Sequence, residues 1–459
     1  PKEKLGGAQV GQKVFVIITD WHDQKKSPLG EVVEVLGAPN DHNVEMQAIA
    51  LEKGFSEIFP EEVLDEALVV KEVGITKEEK EKRRDIRDTL TFTIDPYDAK
   101  DFDDAISYKK INNNLYEIGV HIADVSHYVK PGTRLDEEAY KRGTSVYLVD
   151  KTIPMLPEIL SNDICSLRPD SDRLAFSIIF EVNKKGEILR EWIGKTIIKS
   201  NKRFTYEEAD SSIKEKGGLF HFELSTINNI TKNIKKARFN NGAISIEQDE
   251  VKFELNKDGV PTKIYVKKRG DSSRMIEELM LLANRRIAEK MSKKKGGPKN
   301  NIFLYRIHGL PDKEKMKDLA FFLKKLGYKV TLKNGLIPSN EINFLIHKIQ
   351  GSPIRDMVHT AIIRTMAKAI YSVKNIGHYG LAFKYYTHFT SPIRRYPDLI
   401  VHRILEMDIN KKTLKAEELK KYQEISLETS QREKEAAEAE RASIKYKQVE
   451  YMSSRVGDL

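Results

Sequence analysis

Five aspartates fall within ten positions, Asp95, Asp98, Asp101, Asp103 and Asp104, directly behind the apolar run Thr91-Phe92-Thr93-Ile94. Carboxylates packed this closely repel and raise one another's pKa. A folded chain that keeps them ionised supplies a cation, and oxygen-only ligands favour a hard ion such as Mg²⁺ or Mn²⁺. Pro96 cannot donate to a β ladder, so the strand is expected to end near Asp95, leaving Asp101, Asp103 and Asp104 on a loop. In a regular strand Asp103 and Asp104 would face opposite ways, whereas a loop can turn both inward. Such a cluster suits phosphodiester hydrolysis with two metal ions. The plain alternatives are a solvated acidic turn or a structural Ca²⁺ loop, although the spacing lacks the glycine and terminal glutamate of an EF-hand. Composition alone leaves the catalytic and the plain readings open.

Around this cluster the chain divides in three. Residues 1–70 read as β structure: Val14 to Ile18 is an apolar run, Gly30 to Gly37 follows a Ser27-Pro28 turn, and Asn43 to Ile49 alternates apolar with polar. Short strands at this spacing suggest a small barrel, which fits an OB-type nucleic-acid module or any other small β domain. Residues 71–88, with Lys80-Glu81-Lys82-Arg83-Arg84, read as a charged surface helix or linker. From residue 89 the pattern is mixed. Thr91 to Ile94, Glu117 to Ile122, Leu174 to Glu181 and Lys195 to Lys199 read as strands. Met275 to Met291, Met316 to Leu326 and Arg355 to Val373 carry apolar residues at helical spacing, and Gly327 stands where a helix C-terminal glycine belongs. The charge-dense stretch 416–455 reads as a solvated helix, and Lys293-Lys294-Lys295-Gly296-Gly297 as a loop.

The bulk figures narrow the class. With 459 residues, 40% hydrophobic, the chain has material for a large core and for two or three domains. One cysteine, Cys165, rules out an internal disulfide framework and a cysteine-based zinc cage. No apolar run reaches the roughly 18 residues of a membrane helix. The chain starts at Pro1, which suggests a piece of a longer protein. The balance of 78 Lys+Arg against 69 Asp+Glu is mild support for a polyanionic partner.

One resemblance ties these features together. The aspartate stretch is similar to the signature of the ribonuclease II/ribonuclease R (RNB) family of exoribonucleases. The match continues in order through Val120-His121-Ile122-Ala123-Asp124, Ser145-Val146-Tyr147, Pro154-Met155-Leu156-Pro157-Glu158 and Cys165-Ser166-Leu167. It then runs through Ile276-Glu277-Glu278, Leu282-Ala283-Asn284, Tyr305-Arg306-Ile307-His308, and His388-Phe389-Thr390-Ser391-Pro392-Ile393-Arg394-Arg395-Tyr396-Pro397-Asp398. The resemblance implies an α/β (α+β) RNB catalytic domain over 89–450 with an N-terminal all-β OB-fold (cold-shock-like) domain over 1–70. Residues 451–459 would begin an S1 domain that is otherwise missing, as is a first cold-shock domain. RNA is expected to thread a channel to the aspartates.

The implied activity is processive, hydrolytic 3′→5′ degradation of single-stranded RNA to nucleoside 5′-monophosphates, with Mg²⁺, or Mn²⁺ in its place. Asp95, Asp101 and Asp104 would bind metal, and Asp103 would position or activate water. Arg394 would meet the scissile phosphate, where an always-charged planar fork suits an oxyanion gaining charge. Tyr147 would stack on the terminal nucleotide, and Tyr206 and Glu277 would contact it. Read plainly, Arg394 holds a turn, Tyr206 is a core tyrosine and Glu277 pairs on its own helix. Asp98 matches no signature position and is expected on the surface. His121, Asp124 and His127 are read as structural, and a nucleophilic Cys165 is not expected. The family member ribonuclease II has an aromatic clamp in the strand that here reads Gly242-Ala243-Ile244-Ser245-Ile246-Glu247, with no aromatic. The expected setting is a cytoplasmic monomer with RNA as partner, no membrane and no partner protein. The competing classes are a non-catalytic RNA-binding module and a metal-dependent phosphodiesterase on another substrate.

Overall fold

The computed structural model describes residues 2–23, 25–244, 250–293, 302–412, 414–453 and 455–457. At the N-terminus, β1 (Lys13–Asp20) and β2 (Leu29–Gly37) pair antiparallel, with Val16 opposite Val32. The run 43–49, expected as a third strand, lies instead in helix α1 (His42–Glu52). The local reason is a cap: the Asp41 carboxylate accepts the N–H groups of Asn43 and Val44 at 2.9 and 3.1 Å. Among the described residues this unit holds one strand pair with a helix packed beside it. Met46 and Ala50 of α1 pack with Phe55 against Val146, Leu148 and Ile153 of the following domain.

Residues 71–88 are more than a linker. Helix α2 (Glu61–Val73) stops at Gly74, the short α3 (Lys77–Glu81) follows, and β3 (Arg84–Asp85) joins the main sheet parallel to a distant strand. Between them Arg83 turns inward, 6% exposed, with its guanidinium 2.7 Å from Asp124 and 2.6 Å from Glu79.

The main sheet is built from β4 (Thr91–Asp95), β5 (Asp104–Lys110), β6 (Leu115–Ala123), β9 (Asp172–Asn183), β10 (Ile188–Lys199) and β11 (Lys202–Thr205), in the order β11-β4-β5-β6-β9-β10-β3. Between β6 and β9 come α4 (Val125–Tyr128), α5 (Arg134–Arg142) and a small hairpin of β7 (Val146–Tyr147) and β8 (Thr152–Ile153). Strand β4 is buried throughout, so the sheet is covered on both faces, as its unbroken apolar runs require. Helices α6 (Tyr206–Lys214), α7 (His221–Asn240) and α8 (Asp271–Ser292) cover it; the hairpin β12 (Glu250–Leu255) and β13 (Pro261–Lys267) separates α7 from α8. Phe92, Phe176, Phe180 and Phe204 are fully buried in the shared core.

Beyond α8, β14 (Tyr305–Ile307) leads to a satellite core of α9 (Lys313–Lys325), α10 (Ser339–Lys348) and α11 (Arg355–Thr365). The helix expected over Arg355 to Val373 breaks after Thr365. Ile370–Ser372 becomes β15, with Ile370 pairing Ile307, because backbone pairing with β14 outcompetes helix continuation. Gly327 adopts φ +86°, the left-handed conformation that favours glycine. The chain closes with α12 (Tyr396–Ile409) and the long α13 (Leu419–Ser453). No helix among the described residues is long and apolar enough to cross a membrane. Lys294 to Gly297 of the expected loop, and Ser245 to Glu247 of the expected strand, lie outside the described residues.

His121 and Asp124 serve this scaffold. The His121 ring is fully buried on β6, 2.7 Å from the Ser177 hydroxyl, and lies across Gly119, where a Cβ would sit 2.4 Å from its Nε2. Burial pushes the imidazole down to about 3. Between pH 6.5 and 3 the unfolded chain takes up a proton that the folded chain refuses, so this contribution to stability is complete above 6.5 and lost as pH falls. His121→Asn is therefore expected to flatten the stability-versus-pH slope by about 1.4 kcal/mol per pH unit in that window. Urea titrations at several pH values measure it; an unchanged slope would count against a buried neutral ring.

Candidate active site

Pro96 ends β4 directly after Asp95, as its missing N–H requires. The chain loops back and re-enters the sheet at Asp104, which is thus the first residue of β5 and not a loop residue. Asp95 and Asp104 stand on neighbouring strands at one sheet edge, with Asp101 and Asp103 on the loop between. Three contacts pin that loop. The Ser166 hydroxyl donates to the Lys100 carbonyl at 2.7 Å and accepts the Phe102 N–H at 3.0 Å, and the Leu167 N–H donates to the Phe102 carbonyl at 3.0 Å. Arg203 donates to the carbonyls of Pro96 and Tyr97. The Cys165-Ser166-Leu167 block is therefore a brace. Cys165 itself is buried, which pushes its thiol up, away from nucleophilic reactivity.

Burial is the main force on the carboxyls. It pushes both Asp95 and Asp104 up to about 7, with repulsion from neighbouring aspartates adding to it. It raises Asp101 as well, and Asp103 well above the usual range despite the opposing charge of Arg394. The Asp95 Oδ2 is buried with no hydrogen-bond partner. Among the described residues no three acidic, imidazole or thiol groups converge at metal-ligand distance. An orphaned buried oxygen, crowded oxygen-only donors and carboxyls raised by burial fit a hard divalent cation, which would draw the group together. Asp98 lies exposed, outside this set.

The second half of the site comes from almost 300 residues away. The Ile393 N–H donates to Asp103 Oδ1 at 2.9 Å, and Arg394 Nε to Asp103 Oδ2 at 3.3 Å. Arg394 also donates to the Ser391 hydroxyl at 3.0 Å, and its side chain stays 42% exposed. The loop carrying it is held from behind. Asn284 Oδ1 accepts the Phe389 N–H at 2.7 Å, and the fully buried Asp398 accepts the Ser391 N–H and Arg395, each at 2.8 Å. Asn284, Arg395 and Asp398 had no role assigned from sequence, although each stands inside a quoted block.

The remaining expected residues gather unequally. The Arg394 carbonyl accepts from the Ser145 N–H and the Thr144 hydroxyl, both at 3.0 Å, which hangs the β7–β8 hairpin on the arginine loop. Tyr147 on that hairpin is 38% exposed and feels the charges of Asp101, Asp103 and Arg394. Tyr206 arrives through strand register: β11 pairs parallel with β4, Thr205 lies beside Asp95, and Thr205 caps the helix that Tyr206 begins. Burial raises the Tyr206 hydroxyl, with Asp104 and Asp95 adding to it, and Lys267 Nζ lies 5.9 Å from its ring. Glu277 is exposed on α8 and pairs with Arg269 at 3.3 Å, not with the aspartates. His127 faces Glu79 at 3.5 Å, a scaffold contact.

Both the sequence and the fold match known proteins. The family model described as the RNB domain matches residues 83–411, and one described as a cold shock domain matches residues 1–60. Ribonuclease R of Thermotoga maritima is 39% identical over 470 residues, covering 100% of this chain and 65% of that protein. Ribonuclease R 1 of Lactococcus lactis is 38% identical over 97% of this chain and 55% of that protein. The chain thus spans less than two thirds of the length of these relatives. The structure of Mycoplasma genitalium RNase R in complex with ribose methylated single-stranded RNA superposes with a TM-score of 0.90 at 27% identity, covering 99% of this chain and 71% of that one.

Proposed function

The chain belongs to the RNB family, and on that premise we propose that it is a 3′→5′ exoribonuclease, hydrolysing single-stranded RNA to nucleoside 5′-monophosphates. The observation that carries this reading is the Asp103–Arg394 contact, which joins a buried acidic cluster to a solvent-accessible guanidinium. Asp95, Asp101 and Asp104 would hold divalent cations, Mg²⁺ or Mn²⁺. Bound there, such ions lower the pKa of water and neutralise charge on the phosphate.

The chain's own groups divide the remaining work. Arg394 donates its fork to the non-bridging oxygens of the last phosphodiester, which gain charge in the transition state. Asp103 orients that fork through its own ion pair and offers an acceptor for the proton of the attacking water. Tyr147 stacks on a base without reading it, since every base has a π face. Tyr206 and Glu277 contact the terminal nucleotide, with Arg269 and Lys267 beside them. We assign residues 89–450 to the catalytic unit and 1–70 to RNA binding.

The test is incubation of 5′-labelled RNA with the chain and Mg²⁺. Stepwise shortening and release of 5′-monophosphates are expected, and a chelator should stop both. Binding without products would favour a non-catalytic module; equal cleavage of RNA and of strands ending in 2′-deoxy residues would favour a less selective phosphodiesterase. Tyr147→Ala is expected to raise KM for short RNA by about tenfold with a smaller change in kcat, in line with ~1–3 kcal/mol per stacked base. Steady-state kinetics on a short oligoribonucleotide measure this, and an unaltered KM would remove Tyr147 from the binding path.

A further inference from the structure

The sheet has a second chemically distinctive end. β5 runs from Asp104 to Lys110, and at roughly 3.3 Å per residue its far tip lies about 20 Å from the aspartates. Register lines Lys110, Tyr116 and Val182 across three strands there, and Lys184 follows in the β9–β10 turn. Helix α7 passes over this edge and presents Phe222, Thr226 and Asn229 on one face. Together these elements line an open cleft of about 320 Å³ bordered by Lys110, Asn113, Lys184, Phe222, Thr226 and Asn229, among others. That is near the lower end of ligand-pocket volumes, ~300–1,000 Å³, and suits one nucleotide-sized group.

From this geometry we infer an accessory nucleotide site, taking a 5′-phosphorylated nucleoside either free or within an RNA strand. No carboxylate lines the cleft, which disfavours a cation. Among the described residues neither Lys110 nor Lys184 is paired with a carboxylate, so both point charges are available to a phosphate. Phe222 is 51% exposed although large and apolar, and Lys110 Nζ stands 5.7 Å from its ring. A nucleobase stacked on that face would recover the exposed apolar area while Lys110 turns to the phosphate. Asn113 and Asn229 supply donors and acceptors for a base edge or ribose. Beneath them the Tyr108 hydroxyl is buried beside Thr226, and its ring stands edge-on to Phe222 at 6.4 Å. This site is separate from the aspartate cluster, and its failure would leave the proposed activity untouched.

Photolabelling with 8-azidoadenosine 5′-monophosphate, followed by peptide mapping, tests it on the whole chain. Label is expected within His221–Asn240, and unlabelled AMP should compete it away. Lys110→Gln/Lys184→Gln should cut labelling of that peptide by about tenfold, two lost phosphate contacts each contributing part of the ~1.4 kcal/mol per decade. Phe222→Ala provides a second variant, and melting curves check that both remain folded. Competition by a short oligoadenylate in an Asp103→Asn background identifies an RNA strand as the source; competition by AMP alone identifies a free nucleotide. Absence of label from this helix, or equal labelling of the double variant, overturns the site.

Discussion

Asp103→Asn is expected to lower kcat for RNA by about 10³-fold or more while leaving Kd for single-stranded RNA within a few fold. The asymmetry follows from what the carboxylate touches. Its Oδ1 accepts the Ile393 N–H at 2.9 Å, and an asparagine oxygen can keep that bond, so the arginine loop should stay in place. Its Oδ2 faces Arg394 Nε at 3.3 Å, and an amide nitrogen there meets a donor with a donor. The variant thus loses a proton acceptor next to the site and the charge that orients the guanidinium. Because Asp103 is buried at 5% exposure beside other carboxyls, removing its charge also relieves repulsion. The melting temperature should accordingly hold or rise as activity collapses. Rapid-quench turnover, equilibrium binding and thermal melting on one preparation separate these effects. A variant retaining a tenth of wild-type kcat would end the assignment of Asp103.

Arg83→Ala should cost about 3–5 kcal/mol of stability, because removing one partner leaves a charge buried without compensation. Asp124 is fully buried, and the positive charges of Lys195 and Arg83, together with the Ser126 hydroxyl, hold its carboxyl far below the usual range against the cost of burial. Without Arg83, Lys195 at 3.2 Å is the one cation left within ion-pair distance of Asp124 among the described residues. Arg84→Ala is the matched control one residue on. Its side chain is 40% exposed, 3.8 Å from Glu117, so the loss should stay near or below 1 kcal/mol. Urea midpoints for the two variants measure the difference. If Arg83→Ala were as mild as Arg84→Ala, the buried pair would not anchor the sheet. The same result bears on organisation: this arginine lies in the stretch expected as a charged linker, yet it ties that stretch into the larger domain.

Much of the site was legible because it is local. Asp95, Asp101, Asp103 and Asp104 sit within ten positions and Pro96 marks the strand end, so the acidic cluster itself is visible without knowledge of the fold. Helices α8 and α9 were legible for a similar reason, since apolar spacing at 3.6 residues needs no knowledge of partners. Elsewhere local signals misled. The alternation over 43–49 read as a strand until Asp41 capped it as a helix, and the apolar run after Thr365 read as helix until β14 claimed it. In both places the competing conformations differ little in local free energy, so a cap or a neighbouring strand decides.

The ingredients were thus written in the order of residues: an acidic cluster behind a buried strand, and later blocks in which the family resemblance singled out an arginine and two tyrosines. What pairs with what was settled only by three-dimensional folding. Asp103 meets Arg394 across 291 positions, parallel register sets Thr205 beside Asp95 and so brings Tyr206 to the cluster, and Asn284 braces the arginine loop from 105 positions away. The reason is physical: side-chain type and short-range spacing are properties of the chain itself, whereas a buried hydrogen bond exists only once packing has removed water from both partners and set their distance.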